Sequence, residues 1–191
     1  MLNGFEKAIK FNTCLRLNEV DRKYYAATVE IDEANGAGET LTHNISNTNM
    51  GSTDAAALDP VANPVTPGNN TYEKYQKIHV TAMGGSSKID NLKVWRTGAL
   101  GGAATHLTNA RTSSYGGALT YSTPNTTEDA ASTQTMPTST PGTANLGIGG
   151  SLSGSLTGTG SSDYLNHIIK TNGADTAGST STMNYQYDET A

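Results

Sequence analysis

At 191 residues, with a formal net charge of −5 and a pI near 5.3, the chain has room for one domain and carries no basic footprint for nucleic acid. No apolar run approaches the ~20 residues that span a bilayer, and Glu6, Lys7 and Lys10 stand where a secretory signal needs an apolar stretch. Thr, Gly, Asn and Ser supply 83 residues against 35% apolar ones, a mixture of strand and turn formers, while the lone Cys14 excludes an internal disulfide and fits a reducing cytoplasm.

From the N-terminus, Ile9, Phe11, Thr13, Leu15 and Leu17 share one parity and predict a strand or arm. A helix over Phe5–Leu15 matches the apolar spacing less well. Tyr24–Asp32 alternates more clearly, with Tyr25, Ala27, Val29 and Ile31 on one face and Thr28, Glu30 and Asp32 on the other. EANGAGE at 33–39 reads as a turn, and Thr40–Ser46 as a further strand with Leu41, His43 and Ile45 on its apolar side. Residues 47–68 lose all periodicity, contain Pro60, Pro64 and Pro67, and predict a loop far longer than the usual ~4–6 residues.

Tyr72–Met83 and Ser87–Thr97 read as a hairpin around Gly84, Gly85 and Ser86, with Ile78, Val80, Leu92 and Val94 inward and Lys93 and Trp95 outward. A short strand is expected at Ala104–Leu107 and another at Leu119–Ser122. Thr123–Thr143, with three prolines and few large apolar residues, reads as an extended surface loop or arm. In Asn145–Thr157 the large side chains Leu146, Ile148, Leu152 and Leu156 share one parity, against glycines, serines and a threonine, which predicts a strand with one bare face. Asp163–Thr171 and Thr180–Asp188 complete eight or nine strands and no helix. The expected fold is an all-β antiparallel β-sandwich, Ig-like or jelly-roll-like. Residues 1–20 form its N-terminal strand or arm, and 21–191 the sandwich domain with extended loops at 47–70 and 123–144.

No constellation points to catalysis. His43, His79, His106 and His167 lie in four separate segments without the close spacing of a zinc site, so His43 and His167 read as hydrogen-bonded packing residues and no metal or cofactor is expected. The Asn47–Asp54 stretch has too few carboxylates for a calcium loop. Gly147, Gly149 and Gly150 lack the Lys-Ser/Thr of a P-loop, and read as sites of close backbone approach or a bulge. Ser161, Ser162 and Asp163, with Thr105 and His106, lack an orienting acid and an oxyanion hole. Glu73 and Asp90 read as solvated charges beside Lys74 and Lys88. The chain is expected not to be an enzyme.

Six segments carry a resemblance: NISNTNMGS at 44–52, LDPVANPVTPG at 58–68, YEKYQKIHV at 72–80, KIDNLKVWRTG at 88–98, NLGIGGSLSGSL at 145–156 and MNYQYDE at 183–189. Together they resemble a group of tailed-bacteriophage virion structural proteins, β-rich and encoded among head and tail genes, over most of residues 40–190. The resemblance transfers no catalytic residues. It implies a structural part of a particle assembled in the host bacterial cytoplasm, present in many copies or as a homo-oligomer, with other virion proteins as partners.

Three roles stay open at this point. A capsid decoration or accessory protein would dock through sheet edges and extended loops, with Ile9, Phe11, Leu15, Tyr72, Tyr75 and Trp95 as candidate interface residues. A neck, tail tube or tail-completion protein would close similar sheets into a ring. A carbohydrate-binding sandwich for host recognition would stack sugar on Trp95 or tyrosines. Direct nucleic acid binding and membrane association are expected of none of them.

Overall fold

A strand whose alternate residues prefer different surroundings can serve as the boundary between a core and an outer face, and the segment KYQKIHVTA does this here. The structure, a computed structural model, describes residues 26–36, 38–112, 134–175 and 178–191. Its described part is all-β, with nine strands in antiparallel sheets: β1 (Thr28–Asn35), β2 (Thr40–Thr42), β3 (Lys74–Ala82), β4 (Lys88–Thr97), β5 (Thr105–Thr112), β6 (Gln134–Thr135), β7 (Gly160–Ser161), β8 (Tyr164–Lys170) and β9 (Thr182–Thr190). The larger sheet runs β2-β1-β3-β8-β5-β6, with β7 also paired to β3, and the smaller sheet is β4-β9.

The β1–β3 register pairs Val29 with Val80 and Ile31 with Ile78 on one face, and Glu30 with His79 and Asp32 with Lys77 on the other. The first face meets the smaller sheet. Ile78, Val80 and Leu165 of the larger sheet bury against Ile89, Leu92 and Val94 of β4, with Val29, Ile31, Met183, Tyr185 and Tyr187 packed around them. Inward Leu92 and Val94 and outward Lys93 and Trp95 follow the expected alternation. A bulge between Asp90 and Lys93, with Asn91 at φ 51°, keeps Ile89 and Leu92 on the same side.

Several expectations are corrected. β3 and β4 do not form a hairpin: they belong to different sheets, and residues 83–87 carry the chain across the sandwich. Both strands have an apolar face to bury, and stacking those faces removes more surface from water than laying the strands edge to edge. Asn145–Thr157 is not a strand. Gly149 and Gly150 both hold positive φ, 62° and 79°, and turn the chain back so that Ile148 and Ser151 pair. Leu146 and Ile148 still reach the core, because the parity that would suit a strand also suits an irregular chain lying along β4. Within 123–143, the described residues are mostly an exposed loop, as expected, but not a free arm: Gln134–Thr135 pair with β5 and Met136 is buried in the core. The 40–46 strand also stops at Thr42, where Asn44 adopts φ 53°. The expected strands at 8–17 and 119–122, and with them Ile9, Phe11 and Leu15, lie outside the described residues.

The long loop at 47–68 is present as a loop and is anchored by charge. Lys74, 1% exposed, directs its ammonium to Glu33 Oε1 at 3.2 Å and to the Ala55 carbonyl at 2.8 Å, with Asp54 Oδ1 at 4.0 Å. Asp54 in turn accepts hydrogen bonds from the Asn35 side chain and the Gly36 backbone. Gln76 donates to Glu33 Oε2 at 3.1 Å and accepts from the Tyr185 hydroxyl at 2.6 Å, which joins the two sheets. Removing one partner of such a buried pair strands the other charge. Lys74→Met is therefore expected to lower unfolding free energy by about 3–5 kcal/mol, with Glu33→Met/Lys74→Met recovering much of it. Ile78→Ala, by opening a cavity, should cost about 2–5 kcal/mol. Urea denaturation of the three variants checks both statements.

Candidate functional site

Residues of alternate parity on β1 lie on one face, so Glu30 and Asp32 stand side by side on the outer surface of the larger sheet. His79 sits opposite Glu30 on β3. His43 joins them from the segment after β2, where the backbone leaves the strand and Asn44 donates its N–H to Asp32 Oδ1 at 3.4 Å. Both imidazoles present Nδ1 to the same oxygen: His43 and His79 are each 2.9 Å from Asp32 Oδ2. Glu30 Oε1 lies 3.2 Å from His79 Nδ1 and 3.6 Å from His43 Nδ1. The ring centroids are 5.8 Å apart.

Burial is graded through this group. Asp32 is 1% exposed, whereas the His43 side chain is 57% exposed. The lysine opposite Asp32 does not neutralise it. Lys77 turns to Tyr164 instead, 5.2 Å above the ring and 3.5 Å from its hydroxyl. His43 also borders a polar cleft of about 220 Å³ lined by Thr42, Asn44, Ser46, Asn47 and Thr48 among others. Among the described residues this is the one group of three or more His, Cys, Asp or Glu side chains arranged to hold a metal ion.

This convergence was hidden by sequence distance, since 13 positions or more separate each histidine from Glu30 and from the other histidine. The expectation that His43 is a packing residue is corrected: its ring is mostly in solvent. A clue lay in the strands themselves, because Glu30, Asp32 and His79 all occupy the polar parity of their segments.

The other two histidines meet inside the sandwich. His106 Nε2 and His167 Nδ1 are 2.8 Å apart, one donating to the other. Burial pushes His106 down to about 2, helped by His167 and Arg96. Burial likewise pushes His167 down to about 3, helped by the Lys74 ammonium. Both rings are therefore neutral, and each keeps a buried nitrogen, His106 Nδ1 and His167 Nε2, with no hydrogen bond among the described residues. His167 is the packing residue expected.

The remaining candidates separate. Tyr75 is fully buried against Ala34 and Tyr164, so it is withdrawn as an interface residue; its strand parity alone could not reveal that the outer face is covered at that end. Tyr72 and Trp95 are half-buried. The cleft beside His43 and a second one of about 450 Å³ near Asp90 and Leu152 are lined by neither Trp95 nor a tyrosine. Glu73 is buried and accepts from the Tyr75 hydroxyl at 2.8 Å, contrary to the expected solvated charge, while Asp90 pairs with Lys88 at 2.7 Å. Gly147, Gly149 and Gly150 wrap the Asp163 carboxylate. Gly150 N–H donates to it at 2.8 Å, and a Cβ at Gly147 would collide with it. Burial raises the Asp163 carboxyl above its usual range, against the pull of the Gly150 and Gly149 backbone.

No protein-family model matches the chain, and no curated protein or solved structure is significantly similar to it.

The buried histidine pair sets a pH dependence. In the unfolded chain an imidazole takes up its proton near 6.5, whereas the folded chain resists protonation until about 3 or below. Below about pH 6.5 the unfolded state thus binds more protons, and stability falls as pH is lowered. The thermal midpoint is expected to fall between pH 7.5 and 5, and the His106→Gln/His167→Gln variant to show a flatter profile over that window.

Proposed function

We propose that this chain is a non-enzymatic structural component of a bacteriophage virion, a capsid decoration or accessory protein that docks on its neighbours through a sheet edge and extended loops. The observation that carries the reading is the state of the strand edges. An exposed edge presents unpaired N–H and C=O groups and invites another strand. The larger sheet ends in β2, three residues long, and β6, two residues long, which offer little to pair with. The outer side of β4 is occupied by loop backbone: Arg96 N–H donates to Pro137, Asn145 and Leu146 donate to Leu92, and Ile89 and Leu156 exchange bonds.

β9 is different. Its nine residues have β4 on one side and, among the described residues, no strand on the other. A nine-residue edge of this kind suits addition of a strand from a neighbouring subunit. The polar outer face of β9, with Asn184, Gln186 and Asp188, supplies hydrogen-bonding groups beside that edge, and half-buried Trp95 lies opposite Asn184. The resemblance of residues 40–190 to virion structural proteins agrees with such a role.

Cryo-electron microscopy and quantitative mass spectrometry of purified particles test the proposal. Many copies on the shell, each with the β9 edge against a neighbour, are expected. A single ring at the neck or tail would assign the chain to the neck, tail tube or tail-completion class instead. Absence from particles would overturn the virion role.

A further inference from the structure

We infer that Glu30, Asp32, His43 and His79 form a binding site for one divalent transition-metal ion of the zinc class. The donor set decides the class: two neutral imidazole nitrogens with two carboxylates suit zinc and its neighbours, whereas calcium and magnesium take oxygen ligands. The geometry is close to what such an ion requires. Bonds of about 2.0–2.2 Å from a tetrahedral centre put neighbouring ligand atoms about 3.3–3.6 Å apart. Here the nitrogen–oxygen separations are 2.9, 2.9, 3.2 and 3.6 Å, and all four ligand atoms lie within 4.8 Å of one another. Small side-chain shifts would seat an ion among them.

Electrostatics favours a cation at this point. Two carboxylates share one sheet face, one of them almost wholly buried, and the lysine in register with Asp32 is engaged with Tyr164. The two rings already turn Nδ1 inward, which leaves Nε2 to carry the ring proton when Nδ1 ligates. Exposed His43 at the border of the polar cleft gives the ion a route in. Once bound, the ion would join β1, β3 and the bend at 43–46, and so fix the start of the 47–68 loop on the sheet. This site stands on its own residues and does not depend on the virion role.

The alternative use of the same space is hydrogen bonding alone, each imidazole donating its Nδ1–H to the Asp32 carboxylate. Calorimetry separates the two. The full-length chain, free of any affinity tag and stripped by a chelator, is titrated with Zn²⁺ and, for its visible spectrum, with Co²⁺. One ion per chain, the absorption of a four-coordinate cobalt site and a thermal midpoint raised by zinc are expected. His43→Ala and His79→Ala should each weaken binding at least about tenfold, and His167→Gln should leave it unchanged. His43, mostly in solvent, can be removed with little effect on folding, so its variant decides the matter even if His79→Ala unfolds. Absence of stoichiometric binding, or binding that survives His43→Ala at full strength, would overturn the site and leave the group a hydrogen-bonded cluster.

Discussion

An ammonium group sealed from water must be matched by charge and hydrogen bonds, and Lys74 imposes that requirement on the centre of this fold. At 1% exposure it stands on the inner face of the central strand, where a sandwich ordinarily keeps only apolar side chains. Glu33 answers it from β1, the Ala55 carbonyl from the long loop, and Asp54 reinforces both. The loop at 47–68 is thus tied to the sheet by this cation, alongside the Thr48 hydroxyl on Glu33 and the Tyr72 N–H on the Gly51 carbonyl. The same chain of contacts runs through Gln76 to Tyr185 and so into the opposite sheet. Partners this specific permit only one register, since a slip by a single residue would carry Lys74 to the outer face.

The interior is consequently divided. One half is apolar, built from Ile78, Val80, Ile89, Leu92, Val94, Leu146 and Leu165. The other is polar, with Glu33, Lys74, Gln76, His106, Thr108 and His167 buried together. The Lys74 charge reaches into the histidine pair and helps to keep it neutral. The apolar half supplies the driving force for association of the sheets. The polar half selects among the arrangements that this force alone would allow.

The outer face follows from the same alternation. Because odd positions of β3 turn outward, His79 faces away from the core and meets Glu30 across the strand pair. The bend after β2 then brings His43 over Asp32. Interior charge and exterior ligand set thus share a single scaffold, with β3 contributing to both. The smaller sheet is shielded along β4 by loop backbone, while β9 has, among the described residues, no strand on its other side.

Much of the strand content was legible from period-two patterning. Val29 and Ile31 against Glu30 and Asp32, Leu92 and Val94 against Trp95, and the alternation of Met183, Tyr185 and Tyr187 all lie as their parity demands. Such patterns are local, and they report which side of a strand is greasy. They do not report which strand lies beside which, and so β3 and β4 looked like a hairpin although they face each other across the core. Nor do they register a paired turn of glycines at positive φ, which folded Asn145–Thr157 out of the strand its parity suggested. Of the histidine–carboxylate group only Glu30, Asp32 and His79 were legible, as separate polar positions, because segments far apart in the chain meet through strand pairing and a bend at Asn44. Sequence by itself determined the all-β class and the faces of most strands, since side-chain alternation is a property of the extended backbone. Tertiary structure alone decided the partners of Lys74, the meeting of His43 with His79, and the pairing of β9 with β4, since each depends on contacts between distant segments.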